Sequence, residues 1–200
     1  YSADLGEDMT PSNPVKFNKE LKSKFNEASP VFTKDGKTVF FTRNNYVKGI
    51  KGKNDQGITL VKLFKATLDE NANWTNIEAL PFTSDNYSTA HPTLSPNEKT
   101  MYFASDMPGT YGLSDIYKVQ INEDGSFGTP VNVGSSINTE GRETFPFVSQ
   151  ENEIYFASDG HPGVGGLDIF MAKINDDGSF NKVQNIGMDA NSPKDDFAYL

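Results

Sequence analysis

Residues 104–117 read ASDMPGTYGLSDIY, and residues 157–170 read ASDGHPGVGGLDIF. The two stretches have the same length and the same ends. Each links two apolar runs through a loop rich in glycine and aspartate. A feature that occurs twice belongs to the architecture before it belongs to any chemistry, so the repeat decides the fold. Working outward, ASPVFTKDGKTVFFTRN (28–44) aligns with AHPTLSPNEKTMYFASD (90–106) and TFPFVSQENEIYFASD (144–159). Downstream, LFKATLDENANW (63–74) matches IYKVQINEDGSF (116–127) and IFMAKINDDGSF (169–180). Phe64, Tyr117 and Phe170 are 53 residues apart, as are Trp74, Phe127 and Phe180. Phe41 and Phe103 are 62 apart, so the first copy carries nine extra residues between Phe41 and Leu63.

Each copy divides into four short strands. The first is SPVFT, HPTLS or FPFVS, and a tight turn such as KDGK leads to the second, TVFFT, TMYFA or EIYFA. Asp-Gly is a dipeptide that tight hairpin turns favour. The third is LFKAT, IYKVQI or IFMAKI, and the fourth lies near TPVNVG and KVQNIG. Strands two and three carry apolar residues at adjacent positions, which means that both sheet faces are covered. Small antiparallel sheets, buried on both sides and repeated about every 50 residues, describe the blades of a β-propeller. Phe17, Leu21 and Phe25 have helical spacing, but PVKFNKELKSKFNEASP (14–30) aligns with PVNVGSSINTEGRETFP (130–146) and is read as part of the repeat.

The expected fold is therefore all-β: consecutive four-stranded antiparallel blades, three full repeats, part of a larger ring. Residues 1–29 are expected to end a preceding or closing blade, with Phe17 on Val133 and Leu21 on Ile137. Residues 30–88 form a blade with the nine-residue insertion, 89–141 and 142–195 form two more, and 196–200 start a further one. There Phe197 falls near Phe145 and Ala198 near Pro146.

The phrases SPVFTKDGKTVFF and YFASDMPGTYGLSDIY resemble the WD-like β-propeller repeat of the TolB type. Together with INTEGRETFPF, YFASDGHPGVGGLDIF and KDDF, in that order over residues 26–197, they are similar to propellers of OmpA-family cell-envelope proteins of Bacteroidota. The resemblance implies a non-enzymatic binding or scaffold module of an outer-membrane-associated envelope protein, in the periplasm or at the outer membrane. Other envelope proteins are the implied partners. Some relatives serve the type IX secretion and gliding apparatus. Peptidoglycan binding, where it occurs in such proteins, belongs to domains outside this chain.

Composition narrows the rest. The net charge is −9, against the basic face that nucleic acid requires. There is no cysteine, which excludes disulfides and thiolate metal sites. No apolar run approaches the ~18 residues of a membrane-spanning helix.

The glycine loop admits three chemical readings. Gly163, Gly165 and Gly166 lack the spacing of a nucleotide fingerprint, and no helix follows. A metal reading would use Asp159, His161 and Asp168, but the sister loop has Asp106, Met107 and Asp115, and the first copy has Asn44 and Lys62. Asp106, Asp115, Asp159 and Asp168 are therefore read as loop-structuring residues that accept backbone N–H bonds. No metal and no cofactor is expected. NEDGSF and NDDGSF faintly resemble the Asp-box of sialidase propellers, but Phe180 stands where that box ends in tryptophan.

Glu140, Glu143, Asp195 and Asp196 lie near blade starts, where a propeller channel opens, and paired carboxylates can hydrolyse glycosides. A carbohydrate-binding or glycoside-cleaving propeller is thus the alternative to the scaffold reading. No Ser-His-Asp set is evident and no catalytic residue is assigned. The insertion RNNYVKGIKGKNDQG (43–57) places Arg43, Lys48, Lys51 and Lys53 in an acidic chain. It reads as a solvated loop or as a contact for an anionic partner or surface.

Overall fold

The computed structural model describes residues 1–19, 21–47 and 49–199. Among them there is no helix, and three four-stranded antiparallel sheets account for nearly all the regular structure. The first holds β1 (Glu27–Phe32), β2 (Thr38–Asn44), β5 (Val61–Leu68) and β6 (Trp74–Ala79); β3 (Tyr46–Val47) and β4 (Ile50–Lys51) form a small hairpin between β2 and β5. The second holds β7 (Thr89–Leu94), β8 (Thr100–Ser105), β9 (Asp115–Gln120) and β10 (Val131–Asn132). The third holds β11 (Glu143–Val148), β12 (Glu153–Ser158), β13 (Asp168–Lys173) and β14 (Gln184–Asn185). Each sheet runs in simple up-and-down order, and the first strands β1, β7 and β11 lie beside one another. These are the blades of a β-propeller, ranged about an axis on the β1–β7–β11 side.

The adjacent apolar residues of the second and third strands serve two different interfaces. In the middle blade, Met101 and Phe103 point back to Phe40, Leu63 and Leu80 of the first blade. Tyr102, Ala104 and Ile116 point forward to Ile154, Phe156 and Phe170 of the third. Phe103 and Phe156 are fully buried at these two seams.

The repeat is visible in the backbone itself. The first strand of each blade carries a bulge, where register slips between Ala28 and Val31, Ala90 and Thr93, and Thr144 and Phe147. Ser29, His91 and Phe145 occupy these bulges with φ of 48°, 55° and 48°. A proline follows each one, which a strand tolerates at a bulge or an edge. Ala198, with φ of 63°, repeats the conformation. So Ala198, not Phe197, takes the position of Phe145, one residue from the sequence alignment.

Residues 16–19 and 21–26 form no strand; they run as a strap across the outer face of the first blade. Phe17 packs on Phe32 and Trp74, at 5.7 and 6.3 Å between ring centroids. Leu21 and Val47 pack on a buried cluster of Val39, Phe41, Phe64, Ala66 and Trp74. Leu21 thus covers this face much as Ile137 covers the equivalent face of the third blade. Ser23 N–H donates to Glu27 at 2.9 Å, as Thr139 N–H does to Glu143 at 2.8 Å.

Candidate functional site

Strand pairing decides which residues share an end of the propeller. Glu27 lies opposite Arg43, so the start of a first strand adjoins the end of the second. The second-to-third loops, the first-strand starts and the exit loops after the fourth strands therefore share one end. Ile50, Ile58, Tyr111, Leu113, Val164, Met188 and Phe197 stand there at 44–80 % exposure. The turns at the opposite end (33–37, 69–73, 95–99, 122–126, 149–152 and 175–179) are built of polar residues and glycine apart from Ala72 and Pro96, with no exposed large apolar side chain.

Glycine shapes this loop end. A Cβ on Gly112 would meet backbone atoms of Glu140 and Gly141 at 2.4–2.6 Å, and one on Gly165 would meet the Ser192 and Lys194 carbonyls at 2.2–2.4 Å. Each loop therefore packs backbone to backbone against the exit loop of its own blade. Tyr111, Leu113 and Val164 are left facing outward.

The carboxylates turn inward. Asp115 accepts from Tyr111 N–H (2.8 Å), Gly112 N–H (3.4 Å) and the Asn132 amide (2.6 Å). Asp168 accepts from Val164 and Gly165 N–H, both at 2.9 Å, through one oxygen. Its Oδ1 is buried without a partner among the described residues. Asp106 accepts from Ser88 N–H at 2.6 Å, and Asp159 holds Arg142 through its N–H (2.6 Å) and Nε (3.1 Å). Among the described residues no three His, Asp or Glu side chains converge as metal ligands.

The suggested glycosidase carboxylates are engaged in the same way. Glu143 is fully buried and accepts from Thr139 N–H, Thr139 Oγ1 and Ser158 Oγ at 2.6–2.8 Å. Asp196 accepts from Ser192 N–H at 2.6 Å and Ser192 Oγ at 3.2 Å, and Asp195 from Leu167 N–H at 3.0 Å. Glu140 remains exposed.

The basic insertion needs correction. Arg43 is not a loop cation: it is a buried residue of β2, paired with Glu27 at 3.1 Å and lying over the Phe41 and Phe64 rings. A strand-end arginine beside an insertion reads as part of it until pairing shows the strand reaching Asn44. Nor is the insertion a plain solvated loop. Its base is closed by Asn45 N–H to the Leu60 carbonyl and Gly52 N–H to the Asn45 carbonyl. Lys51 lies over the Phe25 ring at 5.2 Å, Lys53 is exposed, and Lys48 falls outside the described residues.

One grouping escaped sequence reasoning. The bulge residues meet at the axis: Ser29 Oγ lies 2.9 Å from His91 Nδ1, the His91 ring 3.7 Å from Phe145, and Phe145 5.0 Å from Phe197. Burial pushes the His91 imidazole down to about 4, so it is neutral at pH 7. The signal was available, since Ser29, His91 and Phe145 each precede the proline of a first strand. Two open clefts of about 500 and 460 Å³ lie elsewhere, and neither touches a first strand.

No family model matches the chain, and no curated protein is detectably similar to it in sequence. Among solved structures it is similar to a puromycin-hydrolysing peptidase of Mycobacterium tuberculosis (TM-score 0.51, 17 % identity, 82 % of this chain and 24 % of the other). It is also similar to an alpha-L-arabinofuranosidase from Lactobacillus brevis (0.53, 15 %, 76 % and 50 %). TolB from Acinetobacter baumannii aligns at 0.47, with 17 % identity over 80 % of this chain and 33 % of that one. The chain spans 24 % and 50 % of the lengths of the first two. At such identities the first two likenesses speak for the fold alone.

Proposed function

We propose that this chain is a non-enzymatic β-propeller module that binds other proteins in a bacterial envelope assembly associated with the outer membrane. A subunit of a secretion or gliding apparatus is one such assembly. The observation that carries the reading is the division of labour at the loop end. Tyr111, Leu113 and Val164 face outward on a glycine-shaped surface, while Asp115, Asp168 and Glu143 are spent on internal hydrogen bonds. Apolar side chains grouped into one exposed patch with a polar rim mark protein contacts. The envelope setting rests on the resemblance of the repeat phrases. The test is capture from solubilised Bacteroidota envelopes with this chain as bait, beside Tyr111→Ser/Leu113→Ser. A discrete set of proteins lost with the double variant is expected. Turnover of a glycoside, or glycan binding unaffected by that variant, would favour the carbohydrate reading instead.

A further inference from the structure

Four lysines stand on the outside of the strap that seals the first blade. Along residues 21–27 burial alternates: Leu21, Ser23, Phe25 and Glu27 turn inward, while Lys22, Lys24 and Asn26 are exposed. Lys16 and Lys19 are exposed as well. The hairpin adds two more, and the Lys51 ammonium over Phe25 brings them beside the strap. In sequence, residues 14–26 and 48–57 hold seven lysines and two acids, inside a chain of net charge −9. Glu27, which opens β1 just after the strap, is already paired with Arg43. Beside the lysines stand Val15, Phe17 and Ile50, at 62 %, 42 % and 74 % exposure.

From this we infer that Lys16, Lys19, Lys22 and Lys24 on the outer side of the strap, with Lys51 and Lys53 of the insertion, dock on an anionic phospholipid surface. The inference rests on the envelope reading above. The apolar face beneath is already closed by Phe17, Leu21 and Val47, so what the strap offers outward is charge. Among the described residues none of these lysines is paired with a carboxylate. Flexible point charges suit a diffuse layer of headgroups better than one bidentate ligand. The neighbouring Val15 and Ile50, at 62 % and 74 % exposure, are of the kind that enters the headgroup–acyl boundary. Because the whole chain is acidic, attraction is confined to close approach and must fall steeply with salt. The screening length drops from about 10 Å at 0.1 M to about 3 Å at 1 M.

The test is co-sedimentation of the purified chain with vesicles of phosphatidylcholine alone, or of phosphatidylcholine with phosphatidylglycerol. Binding to the mixed vesicles only, weakened by salt, is expected. A lysine near such a surface contributes about fivefold in affinity. Lys22→Glu/Lys24→Glu and Lys51→Glu/Lys53→Glu should therefore each lose at least about tenfold. Lys34→Glu/Lys37→Glu makes the same charge change at the turn end and should leave binding nearly unaltered. These six side chains are exposed, so the melting temperatures of the variants check that the fold is kept. Equal binding to neutral vesicles, an equal loss in the turn-end variant, or no binding would overturn the inference. Capture of an acidic protein by these lysines without vesicle binding would overturn it too. Protein capture through Tyr111 and Leu113 uses other residues, so the two readings fail separately.

Discussion

Asn138 ties an exit loop to a blade, and its loss has a calculable cost. Its side chain is buried; Oδ1 accepts from Ile116 N–H at 2.8 Å, and Nδ2 donates to the Ile116 carbonyl at 2.9 Å and to Asn132 Oδ1 at 2.8 Å. In Asn138→Ala the Ile116 carbonyl keeps a second donor, Val133 N–H at 3.2 Å, but the buried Ile116 N–H is left without a partner. An orphaned buried donor costs about 1–3 kcal/mol, and each remaining hydrogen bond contributes about 0.5–1.5 kcal/mol net. The expected destabilisation is therefore about 2–6 kcal/mol. It is read as a lower urea midpoint at unchanged slope. Asn191→Ala should behave alike, because Asn191 makes the same pair of bonds to Ile169 at 2.7 and 3.0 Å. Asn73→Ala, in an exposed turn, should stay within about 0.5 kcal/mol. A loss below about 1 kcal/mol in Asn138→Ala would refute the view that these asparagines staple the loop end to the blades.

The native His91 imidazole titrates near 4, below its ordinary 6.5, because it is buried. The unfolded chain therefore takes up the proton first, and stability should fall by up to about 3 kcal/mol as pH drops from 6.5 to 4, then level off. His91→Phe, which copies Phe145 of the next blade, should remove that slope in pH-dependent melts. Phe103→Ala and Phe156→Ala should each cost about 3–5 kcal/mol in urea unfolding, since both rings are fully buried at blade seams; a loss below about 1 kcal/mol would place the seams elsewhere. Ala72 has φ of 60° where Gly125 and Gly178 have 77° and 79° in the sister turns. Ala72→Gly should raise stability by about 1 kcal/mol by relieving a left-handed alanine.

The blades were legible because burial on both faces imposes a 53-residue rhythm that side chains alone record. Phe64, Tyr117 and Phe170 mark the same point of three sheets. The axis grouping was not legible in the same way. Ser29, His91 and Phe145 differ in chemistry, and what they share is a backbone bulge that only strand register reveals. Arg43 was misread because composition cannot tell a strand end from the loop after it. The helical spacing of Phe17, Leu21 and Phe25 proved to be a strap with its apolar residues turned onto the first blade. In Glu143 and Asp196 the sequence shows a carboxylate but not its donors, which the fold supplies from Thr139, Ser158 and Ser192.

The central claim is that one end of the propeller meets a protein partner and the other does not. Photo-crosslinking residues placed singly at positions 113 and 164, and at 124 and 151, would test it in intact envelopes. Positions 113 and 164 lie on the loop end, and 124 and 151 on the polar turns. The account predicts discrete protein adducts from 113 and 164 and none from 124 and 151. Adducts of equal yield from both ends, or from the turn end alone, would contradict it.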